Sequence, residues 1–249
     1  MFDIINVFAS GYYGFYGMPG LYYHLDSTYL LVIVGAVICM IASANVNRAF
    51  RKYSTHRCRR GITGVQAAEQ ILRNAGIHDV RIEHISGNLT DHYDPRNKVL
   101  RLSDNVYASD SVSAVGVAAH ECGHAIQHQV GYVPIKVRNA IVPVVNIGSK
   151  LSWPIMIVGL ILGSLNLLNI GILLFSLTLL FQVVTLPVEF NASGRALRIL
   201  DGSGMLYEEE VRGARRVLRA AALTYVTAAV STLLQLLRLV LLFGRRNNN

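Results

Sequence analysis

Leu151–Val188 reads LSWPIMIVGLILGSLNLLNIGILLFSLTLLFQVVTLPV and contains no charged residue; Lys150 and Glu189 bound it. A membrane-spanning helix needs about 17–25 mainly apolar residues, so this run is too long for one span and suits two. Gly163, Ser164, Asn166 and Asn169 mark the turn between them. Two further runs behave alike. No charge lies between Asp26 and Arg48, and Leu30–Ala42 reads LLVIVGAVICMIA. Ala220–Gly244 is apolar except for Arg238 near its end, where a long side chain can snorkel to the interface. The sequence therefore predicts about four transmembrane helices. Hydrophobic residues at 52% and charged residues at 15% are outside the range of ordinary soluble domains. The first run is not a signal peptide, because its basic residues follow rather than precede it.

Lys and Arg set the orientation. The first 28 residues contain neither. Arg48, Arg51, Lys52, Arg57, Arg59 and Arg60 follow the first run; Arg195, Arg198, Arg212, Arg215, Arg216 and Arg219 follow the third. The positive-inside rule puts 46–150 and 189–219 in the cytoplasm and the N-terminus outside a plasma or inner membrane. The net charge of +8 is then a topology signal and an attraction to the lipid bilayer. No interleaving of aromatic and basic residues supports nucleic-acid binding. Three cysteines, Cys39, Cys58 and Cys122, form no paired framework and are expected as free thiols.

The chemistry is concentrated in His120-Glu121-Cys122-Gly123-His124, an H-E-x-x-H pattern. On a helix the two histidines lie one turn apart on one face and can share a Zn²⁺. Glu121 sits beside that metal and can serve as general base toward a zinc-activated water. Cys122 points about 200° from the His120 face and reads as a buried small residue. Around the motif, Thr63 and Gln66 form a capping box for a helix whose apolar face is Val65, Ala68, Ile71 and Leu72. His78–Ile85 and Lys98–Ser103 read as strands, separated by the turn Asp94-Pro95-Arg96-Asn97. Ser109-Asp110-Ser111 can cap a motif helix over about 111–130, with Val112, Val115 and Ala119 facing the core. The Lys98–Ser103 strand is the expected partner for an extended substrate.

A catalytic zinc takes three protein ligands. His128 lies about 12 Å along the helix from His120, too far to share the ion. Acidic residues remain, and Glu189, which ends the long uncharged run, stands out. His92, Tyr93 and Arg195 are the candidate oxyanion donors, and spacing does not choose among them.

AAHECGHAIQH at 118–128, the uncharged double span and LPVEFNASGRAL at 186–197 resemble the YugP-type family of membrane neutral zinc metallopeptidases. LTDHYDPRNKVLRLS at 89–103 and YEEEVRGARRVLRAAALTYV at 207–226 extend the resemblance over nearly the whole chain. It implies a zinc metalloendopeptidase, gluzincin-like and similar in plan to the HtpX-like and CAAX-prenyl-type proteases. In those, a Glu on a later helix is the third ligand, and Glu189 falls on that position. The chain departs from the family pattern at Asn191, where Asp is usual, and at Cys122, where Val is common.

The expected fold is an α-helical integral membrane protein with a small cytoplasmic α+β zincin-like catalytic lobe. Its map is an extracytoplasmic segment 1–28, a first span 29–45, a catalytic lobe 46–150 and a hairpin of spans 151–188. A cytoplasmic segment 189–219 with the third ligand, a fourth span 220–244 and a tail 245–249 complete it. The expected function is hydrolysis of protein or peptide substrates, with His120, His124 and Glu189 on zinc and Glu121 as base. Two other readings compete. A site-2-type intramembrane protease would use Asp201 of Leu200-Asp201-Gly202, but those motifs lie within apolar spans. A zinc-binding scaffold would have no use for Glu121. The sequence identifies neither a membrane partner protein nor a homo-oligomer.

Overall fold

The computed structural model describes residues 27–244; the tail and all but the last two residues of the N-terminal segment lie outside them. The order of elements is α1 (Tyr29–Ser54), α2 (Gly64–Asn74), β1 (Arg81–Ile85), β2 (His92–Asp94), β3 (Val99–Ser103), α3 (Asp104–Tyr107), α4 (Val112–Gln129), α5 (Val133–Ile161), α6 (Leu165–Gly202) and α7 (Glu208–Gly244). Among the described residues, four helices are long and apolar enough to cross a membrane: α1, α5, α6 and α7.

These helices run past the apolar stretches that announce them. α1 continues to Ser54, and α5 begins at Val133 although it carries Lys136 and Arg138 in its first two turns and Lys150 beyond its middle. Charge ends an apolar stretch without ending a helix, so hydropathy reads the bilayer portion only. The turn between α5 and α6 is tighter than the sequence suggested. Gly163 takes φ +65, in the left-handed region that a residue with a Cβ rarely adopts. Ser164 caps α6 through Leu167 N at 3.5 Å, and Asn166 and Asn169 lie inside the helix. α6 has 38 residues. At roughly 1.5 Å per residue it is about 57 Å long, well beyond a hydrocarbon core of about 30 Å. Its C-terminal part must therefore leave the apolar layer, and it enters the lobe.

The lobe has no core of its own. Phe50 of α1, Ala67, Ala68, Ile71 and Leu72 of α2, and Leu100 and Leu102 of β3 are buried in one cluster with Val112, Val115 and Ala119 of α4. Ala196 and Leu200 of α6 and Ala214, Val217 and Leu218 of α7 complete that cluster. α2 begins with the expected capping box of Thr63 and Gln66. β1 starts at Arg81 rather than His78 and pairs parallel with β3; β2, a short third strand to which the sequence assigned no place, pairs antiparallel with β3 on its other side. The sheet order β1-β3-β2 makes β3 the central strand. Val99, Leu100, Leu102 and Ser103 on it are fully buried. The expectation that Lys98–Ser103 receives a substrate strand is therefore corrected, since both of its edges are already paired.

α4 is buried nearly all round, as a central helix must be, its polar side chains Ser113, Glu121, His124 and Gln127 included. Its small residues admit neighbours closely; a Cβ on Gly116 would lie 3.2 Å from Ala214 Cβ of α7. Ser111 caps α4 by accepting from Ala114 N at 3.2 Å, while exchanging hydroxyl contacts with Ser109 and Ser113. Replacing Ser111 by Ala should cost about 1–2 kcal/mol, because the cap is buried and its loss strands a backbone N–H. Thermal unfolding in detergent should show the lowered midpoint.

Candidate metal centre

His120 and His124 project from the same face of α4, with ring centroids 4.8 Å apart and planes at 85°. α6 crosses this face. Glu189 Oε2 stands 3.3 Å from His120 Nε2 and 3.6 Å from His124 Nε2. Four ligands placed tetrahedrally at roughly 2.0–2.2 Å from zinc stand about 3.3–3.6 Å from one another, so the spacing fits. Among the described residues these three are the group that could hold a metal ion.

The crossing depends on Gly123. A Cβ there would meet the Ala192 carbonyl oxygen at 2.7 Å, closer than real Cβ atoms come. The glycine inside the motif thus lets α6 approach the histidines. Cys122, next to it, points the other way. Its Sγ is 3.7 Å from the Ala68 carbonyl, and burial pushes its thiol up. All three cysteines are free.

Hydrogen bonds set the histidine tautomers. Gln127 donates from Nε2 to the Val188 carbonyl at 2.8 Å and to Asn191 Oδ1 at 3.0 Å. Its Oε1 must then face His124 Nδ1, 3.0 Å away, as acceptor. Nδ1 carries the proton and Nε2 is left with a lone pair for a metal. Ser193 Oγ lies 3.1 Å from His120 Nδ1; as a hydroxyl it can accept that ring's Nδ1 proton, which leaves Nε2 free in the same way. Glu189 is 2% exposed, and its Oε2 has no hydrogen-bond partner. Two ring lone pairs and a buried, unpartnered carboxylate oxygen facing one point make a donor set that a divalent cation satisfies.

Glu121 is buried beside this set without belonging to it. Burial pushes its carboxyl up to about 7, against the opposing influence of His120; Glu189 and Asp91 add to the rise, and a Tyr93 backbone N–H hydrogen bond works against it. Arg138 of α5 places Nη1 3.8 Å from Glu189 Oε1, and Tyr225 of α7 lies beside the same side chain.

A family described as "Putative neutral zinc metallopeptidase" matches residues 28–244. The chain belongs to this family. It is also 46% identical over 220 residues to "Putative membrane protease YugP" of Bacillus subtilis (strain 168), covering 88% of this chain and 98% of that protein. No solved structure matches. With four apolar helices and a membrane protease as relative, the chain reads as a multi-pass membrane protein. Zinc is the metal of the family, and the donor set fits it.

Other residues named from the sequence lie elsewhere. His128 Nδ1 is 3.0 Å from the Tyr93 hydroxyl and takes no part in the metal group. Burial pushes the Tyr93 phenol up to about 12, so it stays protonated at neutral pH. His92 contacts the Thr90 carbonyl and Arg101, and Arg195 donates to Asn191 Oδ1 at 2.8 Å. Asn191 touches neither histidine; it acts one bond further out, through Gln127. Asp201 is exposed near the end of α6. Sequence reasoning missed Gln127, Ser193, Arg138 and Tyr225. Gln127 follows His124 by three residues and Ser193 follows Glu189 by four, so helical spacing could have flagged both. Tyr225 carries no such signal.

Gly123→Ala should force α4 and α6 apart, costing about 1–3 kcal/mol and weakening zinc binding. Gly194→Ala, on α6 where an added Cβ meets nothing within 4 Å, should be neutral or stabilising by about 0.5–1 kcal/mol. Unfolding midpoints and metal content of the two variants check this contrast.

Proposed function

We propose that this protein is a membrane-embedded zinc endopeptidase that cleaves proteins or peptides at a cytoplasm-facing site. The observation that carries the reading is the pairing of a tetrahedrally spaced donor set, His120, His124 and Glu189, with a buried carboxylate, Glu121, that is no part of it. Zinc held there supplies a Lewis acid for the scissile carbonyl and acidifies a water. Glu121 takes the proton of the attacking water and returns it to the leaving amine. Its raised carboxyl suits a group that must hold a proton for part of the cycle. Gln127 keeps the His124 imidazole in the metal-binding tautomer, and the Ser193 hydroxyl can accept from His120 Nδ1 to the same effect. β2 is the outer strand on the side of the motif helix, where its Tyr93 hydroxyl lies 3.0 Å from His128 Nδ1. An extended substrate is better served by that edge than by β3.

Two alternatives fare less well. α4 is not among the four helices suited to crossing a membrane, which tells against an intramembrane site-2-type protease. A scaffold with structural zinc leaves the burial of Glu121 without a use.

The ends of α1, α6 and α7 that bear the basic clusters all pack into the lobe core, in keeping with a single cytoplasmic side. Cys58 cannot report this side, because it is only 3% exposed and its Sγ lies 3.2 Å from the Ile62 carbonyl. Arg73→Cys, on the exposed face of α2, should resist an impermeant thiol reagent in intact cells and react after permeabilisation. Reaction in intact cells would reverse the topology.

Glu121→Gln should keep zinc and fold yet lower peptide hydrolysis roughly 10²–10⁴-fold, the usual cost of losing a general base. His124→Ala should lose metal, activity and stability together. Near-full activity in Glu121→Gln would remove it as base.

A further inference from the structure

Arg138 is a charged residue early in a helix suited to crossing a membrane, and such a residue calls for a named partner. The hairpin supplies one. Arg138 lies 25 residues before Gly163 and Glu189 lies 26 after it, so antiparallel helices bring the two level. The side chains meet accordingly, with Arg138 Nη1 3.8 Å from Glu189 Oε1 and the guanidinium 6.0 Å from the Phe181 ring centroid. Arg138 Nε is buried without a hydrogen-bond partner, and the side chain is 29% exposed. The two oxygens of Glu189 thus face different charges. Oε2 faces both histidines, and Oε1 is turned to Arg138.

We infer that Arg138 is a positioning residue that holds Glu189 Oε1 away from the metal, so that Glu189 binds zinc through Oε2 alone and one coordination place stays open for water. The inference rests on the metal centre proposed above. A carboxylate can bind a cation through one oxygen or two. With Oε1 released, it would swing onto the metal and occupy the space that a catalytic zinc keeps open. At 3.8 Å the contact is one of charge rather than a hydrogen-bonded fork, so a lysine that reaches the site should replace much of it. Tyr225 also lies beside this carboxylate but carries no charge to oppose that of the metal.

The test uses full-length protein in detergent, loaded with Zn²⁺ or Co²⁺. X-ray absorption of the zinc-loaded wild type should show four light-atom ligands; five would overturn the inference without any variant. Arg138→Gln should retain its metal, while the visible absorption of its Co²⁺ form weakens toward the five-coordinate pattern. Its kcat for a fluorogenic peptide should fall roughly 10–100-fold with KM little changed, the usual cost of losing a ligand-orienting partner. Arg138→Lys should recover much of the four-coordinate spectrum. A wild-type cobalt spectrum in Arg138→Gln would overturn the role. If Arg138→Gln does not fold, the wild-type zinc absorption decides alone. Wild type that binds no zinc would instead remove the metal centre, and the role of Arg138 with it.

Discussion

The close crossing of α4 and α6 at Gly123 and Ala192 is the contact on which the rest depends. A Cβ at Gly123 would sit 2.7 Å from the Ala192 carbonyl oxygen, so the helices touch backbone to side-chain position. Glu189 lies three residues before Ala192 and therefore about one turn away, beside the two histidines. Gln127 reaches across the same crossing to the Val188 carbonyl and Asn191. One packing choice thereby aligns three donors, sets a tautomer and buries a carboxylate. A wider crossing would leave two histidines on one helix and a stray acid on another.

Burial of Glu189 has an energetic consequence. A carboxylate oxygen at 2% residue exposure with no hydrogen-bond partner is costly to desolvate. Two lone-pair donors nearby aggravate that cost, and a bound cation reverses it. Metal binding and the packing of α6 on α4 are therefore coupled, as in any site whose ligands come from separate elements. Arg138 on one side and the histidine pair on the other divide the carboxylate between them.

Helix length joins the membrane part to the lobe. α6 and α7, with 38 and 37 residues, exceed what a hydrocarbon core of about 30 Å can contain. Their excess turns supply Ala196, Leu200, Ala214 and Leu218 to the core in which α4 is buried. The lobe is thus completed by the same helices that suit the bilayer, and Glu189 sits where α6 passes from one setting to the other. A candidate metal ligand at such a boundary is held by rigid helices rather than by loops.

The sequence determined whatever depends on local pattern. Uncharged runs revealed the long helices, the capping box at Thr63 and Gln66 set the start of α2, and H-E-x-x-H placed two histidines and a carboxylate on one helix. Those features are fixed by neighbours within a few residues. Glu189 could be singled out only as a lone acid at the end of an apolar run, with the family resemblance assigning it a role. What joined it to His120 and His124 was the crossing of two helices far apart in sequence. The sheet order was likewise hidden: Lys98–Ser103 alternates as any strand does, and only pairing with β1 and β2 on both sides took its edges out of use. Gln127, Ser193, Arg138 and Tyr225 gained their places in the same way, since a hydrogen bond or ion pair across helices depends on distance in space and leaves no period in the chain.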